Sequence, residues 1–221
     1  MRNYVAWLSM KHLLAMVMIA SLLASSGCVS FAANLIHAIG GNNRPAEYEG
    51  LKGKRVAVVV STDQGLSSDT VSATLSSQIQ AHLNTNIDKI DVVRSVEIEK
   101  WLDANGWNDN DYEQIGKGVE ADVVLAVDVM NLTLKNGATL YRGLSDITVT
   151  VYDMEAGGKI MYRKQIPEFA YPNLGGTAIT DTSEAKFRGA YLAYVARTVS
   201  GLFYEVEATE DFAIDATSSR F

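Results

Sequence analysis

The longest apolar stretch of the chain lies near its start. Leu13 to Ala24 is a run of twelve apolar or small residues, preceded by Arg2 and Lys11 and followed by Ser25-Ser26-Gly27-Cys28. As a helix this run covers roughly 18 Å, well short of the roughly 30 Å hydrocarbon core of a bilayer. A basic start, a short apolar run and a small-residue exit form the layout of an export signal, not of an uncleaved anchor. Gly40-Gly41-Asn42-Asn43-Arg44-Pro45 is a cluster of turn formers without an apolar period and reads as a linker. The expected organisation is a signal segment over 1–27, a linker over 28–46, one folded domain over 47–206 and a tail over 207–221. No repeat at a period of 20 to 50 residues breaks that domain.

Within the domain the hydrophobic period changes along the chain. Val56 to Val60 is an unbroken apolar run, the pattern of a strand covered on both faces. Ser67, Ser68 and Asp69 are N-cap candidates for a helix whose Val71, Leu75, Ile79 and Leu83 recur every four residues. Ile90 to Val93 predicts a second strand, completing a βαβ unit. Ser95 opens a helix carrying Val96, Ile98, Trp101 and Leu102, closed by Asn105-Gly106, and Asp109 to Val119 predicts a third short helix. From Asp122 the period becomes two, and an antiparallel meander is expected over Asp122–Leu134, Leu140–Asp153 and Lys159–Ile166. Asn136-Gly137 and Gly157-Gly158 supply its turns. Pro167 to Thr182 reads as a loop, and Thr182 or Ser183 caps a final helix of about 22 residues. The order β-α-β-α-α-β-β-β-α predicts an α/β (α+β mixed) fold, a central mixed sheet of about five strands with helices packed on it.

Composition narrows the classes. With 48% hydrophobic and 20% charged residues the chain can bury a sizeable core, and its single cysteine excludes a disulfide scaffold. The small residues before Cys28 resemble a bacterial lipobox, at which lipid is joined to the cysteine thiol and the chain is cut before it; Ser25 stands where Leu is usual. Lipidation would also explain the lone cysteine, since a free thiol in an oxidising compartment invites pairing. The alternative is cleavage after Ser30-Phe31-Ala32, leaving a soluble protein with no cysteine. Cleavage before Cys28 removes two of the 19 basic residues and no acidic one, which takes the net charge from −7 to −9. An acidic body of this kind does not favour anionic lipid or nucleic acid, so no nucleic-acid partner is expected. Attachment to the bilayer would rest on acylated Cys28. Phe31, Leu35, Ile36 and Ile39 recur just after it at near-helical spacing, either as an interfacial stripe or as a short packed helix.

The start Leu51-Lys-Gly-Lys-Arg-Val-Ala-Val-Val-Val60, the stretch Ile115-Gly-Lys-Gly-Val-Glu-Ala-Asp-Val-Val-Leu125 and the hairpin from Val149 to Ile160 resemble bacterial envelope lipoproteins of the curli-secretion and penicillin-binding-protein-activator type. The resemblance spans about Lys52 to Tyr204. It implies a protein acylated at a cysteine, facing the periplasm, that acts by protein–protein contact without catalysis; of the two membranes the outer is the expected one, with only the lack of a retaining Asp at Val29 to go by. Oligomerisation is left open. A pore of the curli-secretion kind is not expected here, because Lys135–Thr139 and Met154–Gly158 spare too little chain for spanning hairpins, whose strands need about 9 to 11 residues each. The linker is also short for an activator that must reach across the cell wall.

Once residues 1–27 are removed, His37 and His82 have no Ser, Cys or carboxylate at a telling spacing, and no Cys/His pair suggests zinc. The loop Ser61 to Ser68 lacks a Walker pattern. Asp109, Asp111, Glu113 and Glu120 fall in a calcium-loop register, but Gln114 occupies the position that needs Gly, and helix capping explains the acids better. No metal and no cofactor is expected. Trp107, Phe169 and Tyr171 are the candidate partner-binding residues, each with a packing role as its alternative. An enzyme would require carboxylates such as Asp63, Asp128 or Asp146 to converge in a cleft. A soluble ligand-binding domain would require a deep apolar pocket.

Overall fold

The structure is a computed structural model, described here for residues 43–63, 70–106 and 111–207. The chain divides into two compact units, 1–43 and 44–221, and the account below concerns the second. Cys28, His37, the stripe from Phe31 to Ile39, the caps Ser67 to Asp69, Trp107 and Asp109 lie outside the described residues.

The apolar run Arg55–Thr62 forms strand β1, and its alternate residues serve two different cores. Val56, Val58 and Val60 join one cluster while Ala57 and Val59 join the other, which is why the run is unbroken. Helix α1, Thr70–Asn86, follows and buries Leu75, Ile79 and Leu83 completely. Strand β2, Asp91–Val92, returns beside β1 in parallel. Helices α2, Ser95–Asn105, and α3, Tyr112–Gly118, then lead to β3, Val123–Asn136, which pairs in parallel with β1 on its other side. The first crossover moves from β1 to β2 and the second returns from β2 past β1 to β3; crossovers of one hand that run in opposite directions along the sheet must place their helices on opposite faces. That is the observed division: α1 belongs to the first core, and α2 and α3 to the second.

The meander β3, β4 (Leu140–Asp153) and β5 (Lys159–Tyr171) is antiparallel, and the six-stranded sheet has the order β2-β1-β3-β4-β5. The sixth strand, β6 (Thr177–Ala178), pairs with Leu140 and Tyr141 of β4. Two residues give no period to read, so five strands were expected where six form. Helix α4, Glu184–Ser200, is capped by Ser183, whose hydroxyl accepts from the Lys186 amide at 3.3 Å. It lies on the same face as α1 and buries Phe187, Tyr191, Leu192, Val195 and Val199. Gly201 ends it short of the expected 22 residues, although Leu202 and Phe203 beyond it are still buried.

One boundary is corrected. The segment Pro167–Tyr171, expected as loop, continues β5. Proline is tolerated there because β5 is an edge strand and Pro167 sits in a bulge: Pro167 and Glu168 together oppose Asp146, and Glu168 adopts φ +50°. A second bulge, Asn131 and Leu132 of β3 against Ser145 of β4, has Asn131 at φ +56°. The sheet is therefore bent on both sides of Ser145–Asp146.

Candidate functional site

Phe169 and Tyr171, two of the proposed contact residues, lie on the face of β5 that meets α4. Tyr171 is 3% exposed and packs against Tyr194 and Phe187, with ring centroids 5.0 Å and 6.2 Å apart. Phe169 is half-buried and stacks on Tyr194 at 5.2 Å. The expectation of an accessible aromatic loop is corrected accordingly, because strand alternation turns both rings inward. Tyr191, fully buried, lies against Gly143, where a Cβ would come within 2.1 Å of its ring, so the helix docks only because that strand position has no side chain. Its hydroxyl is 2.6 Å from the Ser145 hydroxyl. Burial above all raises the Tyr191 pKa to about 12, helped by the nearby Asp146 charge and opposed by the Ser145 hydrogen bond.

The three carboxylates singled out for catalysis do not share one cleft. Asp63 accepts from the Asn131 amide with both oxygens, at 2.8 Å and 3.1 Å. Asp146 accepts from the Glu168 amide at 2.9 Å and from the Asn131 side-chain amide at 2.8 Å. These two aspartates thus tie down the two bulges, and the Glu168 amide first, then Asn131, holds the Asp146 carboxyl below the usual range. A depressed carboxyl is a poor proton donor near neutral pH. Asp128 stands apart and takes two hydroxyls on one oxygen, Ser61 at 2.5 Å and Tyr112 at 2.6 Å. Burial, followed by its own hydrogen bond to the Asp128 carboxylate, pushes the Tyr112 hydroxyl well above its ordinary range, against an opposing contribution from Ser61.

The acidic residues of the calcium register have local duties where they are described. Asp111 is the N-cap of α3, accepting from the Gln114 amide at 3.0 Å, and Glu113 pairs with Lys117 one turn on. Glu120 sits in the following turn at φ +55°. Among the described residues no group of three or more metal-ligating side chains comes together, and no helix is long and apolar enough to cross a membrane. A 620 Å³ groove runs between the start of α1, the end of β3 and α4, with Val71, Leu132 and Leu134 on its apolar side. Its charged groups answer one another: Glu184 pairs with Lys135 at 3.1 Å and with Arg188 at 2.9 Å.

A different surface was not singled out in the sequence. Helices α2 and α3 cover the second face over β1 and lower β3, through Ala57, Val59, Val124 and Ala126. Beyond Tyr152 that core includes nothing from β4 or β5. Among the described residues, the register turns Met130 of β3, Arg142, Asp146, Thr148 and Thr150 of β4, and Ile160, Arg163 and Gln165 of β5 to this side, which also holds Asp128, where Tyr112 of α3 meets it. Met130 and Ile160 are 44% and 43% exposed, as is Met161, the extra residue of a bulge beside Ile160, at 47%. The Arg163 guanidinium bonds the Thr150 hydroxyl at 3.3 Å, and Arg142 bonds the Asn173 carbonyl at 3.3 Å and lines a cleft with Asp146 and Glu168. Alternation in β5 gives the only sequence signal for this side of the sheet.

No protein-family model matches the chain, and no curated protein matches it. Solved structures do. A lipoprotein from Neisseria meningitidis, GNA1162, aligns at 14% identity over 66% of this chain and 98% of its own, with a TM-score of 0.44. PelC from Paraburkholderia phytofirmans, solved as a dodecamer, aligns at 13% identity over 73% of this chain and 97% of its own, with a TM-score of 0.41. The LpoB C-terminal domain from Salmonella enterica aligns at 14% identity over 62% of this chain and 92% of its own, with a TM-score of 0.34.

Proposed function

We propose that the protein is a lipid-anchored component of a bacterial cell envelope, without catalytic activity, that acts through contacts with another envelope protein in assembly, secretion or wall maintenance. The carrying observation is the sequence around Cys28: a short apolar run, small residues, then the only cysteine of the chain. The domain's own carboxylates support the non-enzymatic part of the reading. Asp63 and Asp146 are committed to bulge amides and Asp128 to two hydroxyls, so each has a structural task. The 620 Å³ groove, whose charges pair internally, gives little support to a soluble ligand carrier.

The reading assigns the anchor to the periplasmic leaflet of the outer membrane. Fractionation of the native host tests it. The wild-type protein is expected in the outer-membrane band of a sucrose gradient, resistant to high salt and released by detergent, while Cys28→Ala moves to the soluble periplasmic extract. Wild-type protein found in the soluble extract would overturn the anchor. Co-purification of one envelope protein with the detergent-released protein, in constant ratio, is the expected sign of contact; elution as a lone monomer would count against it.

A further inference from the structure

Two stretches that meet at one end of the sheet carry no charge. Residues 136–141, Asn-Gly-Ala-Thr-Leu-Tyr, and 171–180, Tyr-Pro-Asn-Leu-Gly-Gly-Thr-Ala-Ile-Thr, hold no Asp, Glu, Lys, Arg or His, in a chain that is 20% charged. At that frequency about three charges are expected in the two stretches together. The register joins them: Leu140 pairs with Ala178 and Tyr141 with Thr177, and the Ile179 amide donates to the Thr139 carbonyl at 3.1 Å. Leu174 is 90% exposed, the most exposed large apolar side chain among the described residues, and Ile179 is 43% exposed. The loop that carries Leu174 is held on both sides, by buried Tyr171 and Pro172 before it and by the pairing of Thr177 after it, and the Arg142 guanidinium donates to the Asn173 carbonyl at 3.3 Å. Charge returns only at the borders of the two stretches, with Lys135, Arg142 and Asp181, and Lys135 is paired with Glu184 at 3.1 Å.

We infer that this charge-free end of the sheet docks into an uncharged, apolar cleft of the partner protein, which Leu174 fills. The core of a protein interface is depleted of charge and its rim is polar, and this end has that composition. A leucine left in water gains when it is covered, and a loop already fixed on both sides gives up little conformational freedom on docking. A bilayer fits less well. Segments that enter lipid headgroups use Trp, Tyr, Lys or Arg, whereas the only aromatic rings here, Tyr141 and Tyr171, are 8% and 3% exposed. The chain also enters the domain toward the other end of the sheet: Glu47 accepts from Tyr162 and Lys164, level with Leu125 and Val127, which lie roughly 30–36 Å along β3 from Asn136. A second copy, set tip to tip, falls short on area, since four exposed residues in 136–141 and five in 171–180 compare with about 20–30 a side in a stable interface. A cleft that closes round the tip covers its charged border as well. The inference rests on the protein-contact reading above and names the surface and the chemistry of the partner's site.

The test is photo-crosslinking in the native host, with the full lipidated chain carrying benzoylphenylalanine at Ala138, beside Leu174 on this end, and at Ser77 on the exposed side of α1 as the control. The expected result is a crosslink from position 138 to an apolar segment of another envelope protein. Leu174→Asp reduces its yield at least about tenfold, because the cleft would have to take in an unpaired charge, while Leu174→Met leaves it within about threefold. Val96→Asp, which changes a 44% exposed apolar residue on α2, leaves it within about twofold and shows that the loss belongs to this end. Leu174→Ser adds no charge and serves, with a loss in the same direction, if the urea midpoint shows that Leu174→Asp disturbs the fold. A crosslink from 138 that ignores both the Asp and the Ser substitution, or that falls on lipid or on a second copy, overturns the inference. Silence at 138 with a protein crosslink from 77 overturns this surface and leaves the protein-contact reading standing. Silence at both positions overturns the two together.

Discussion

Removing the Tyr191 hydroxyl tests how α4 is held to the bent part of the sheet. Tyr191 is 0% and Ser145 is 2% exposed, and their hydroxyls are 2.6 Å apart, so neither has water as a substitute partner. The other contact of the Tyr191 hydroxyl, to the Phe169 carbonyl, is long at 3.5 Å. Tyr191→Phe strands the Ser145 hydroxyl in the core, which costs about 1–3 kcal/mol. Ser145→Ala leaves the tyrosine hydroxyl with that long contact alone and costs a similar amount. The double variant removes both groups, so its cost is expected to fall short of the sum of the singles by about 1 kcal/mol or more. Urea unfolding of the soluble chain from residue 29 gives the three differences, provided the slope with denaturant is unchanged. Single-variant costs that add to within about 0.3–0.5 kcal/mol would show that the two hydroxyls are not coupled and refute this account of the docking.

The same residue sets an alkaline limit. Its folded-state pKa, raised to about 12, lies above the unfolded value near 10, so the associated stability is complete below pH 10 and is lost as pH rises through about 12. The loss amounts to roughly 2–3 kcal/mol; urea midpoints between pH 9 and 12 should fall less steeply for Tyr191→Phe than for the wild type, and equal slopes would contradict the assignment. Gly143→Ala drives a methyl into the Tyr191 ring and should cost about 1–3 kcal/mol in the same assay, with weaker near-UV tyrosine dichroism. Gly137→Ala, in the β3–β4 turn at φ +70° with open space around it, should cost only the backbone strain of about 1–2 kcal/mol and leave that dichroism unchanged.

The elements that could be read from the sequence are those whose burial has a strong period. Val56 to Val60, Leu75-Ile79-Leu83 and the alternating Ile147-Val149-Val151 announced β1, α1 and β4, since each repeats at the spacing its element dictates. The Asn105-Gly106 stop and the Ser183 cap were equally readable, because turn and cap chemistry is local. The continuation of β5 past Pro167 was not readable: a proline is acceptable only because the strand lies at an edge and bulges, both of which are tertiary facts. The same limit concealed the roles of Asp63 and Asp146. Nothing local shows that their oxygens meet the amides of Asn131 and Glu168, residues that are remote in sequence. Phe169 and Tyr171 were picked out as aromatic, while the side they face follows from the register with Ser145 and Gly143.

The account stands or falls on Cys28. Intact mass spectrometry of the protein purified from its native host, beside the Cys28→Ala form, measures the claim directly. The expected mass is that of residues 28–221 plus acyl groups, with the acyl increment absent from the variant. A wild-type mass that begins near Ala33 and carries no lipid would contradict the anchor and return the domain to the class of soluble exported proteins.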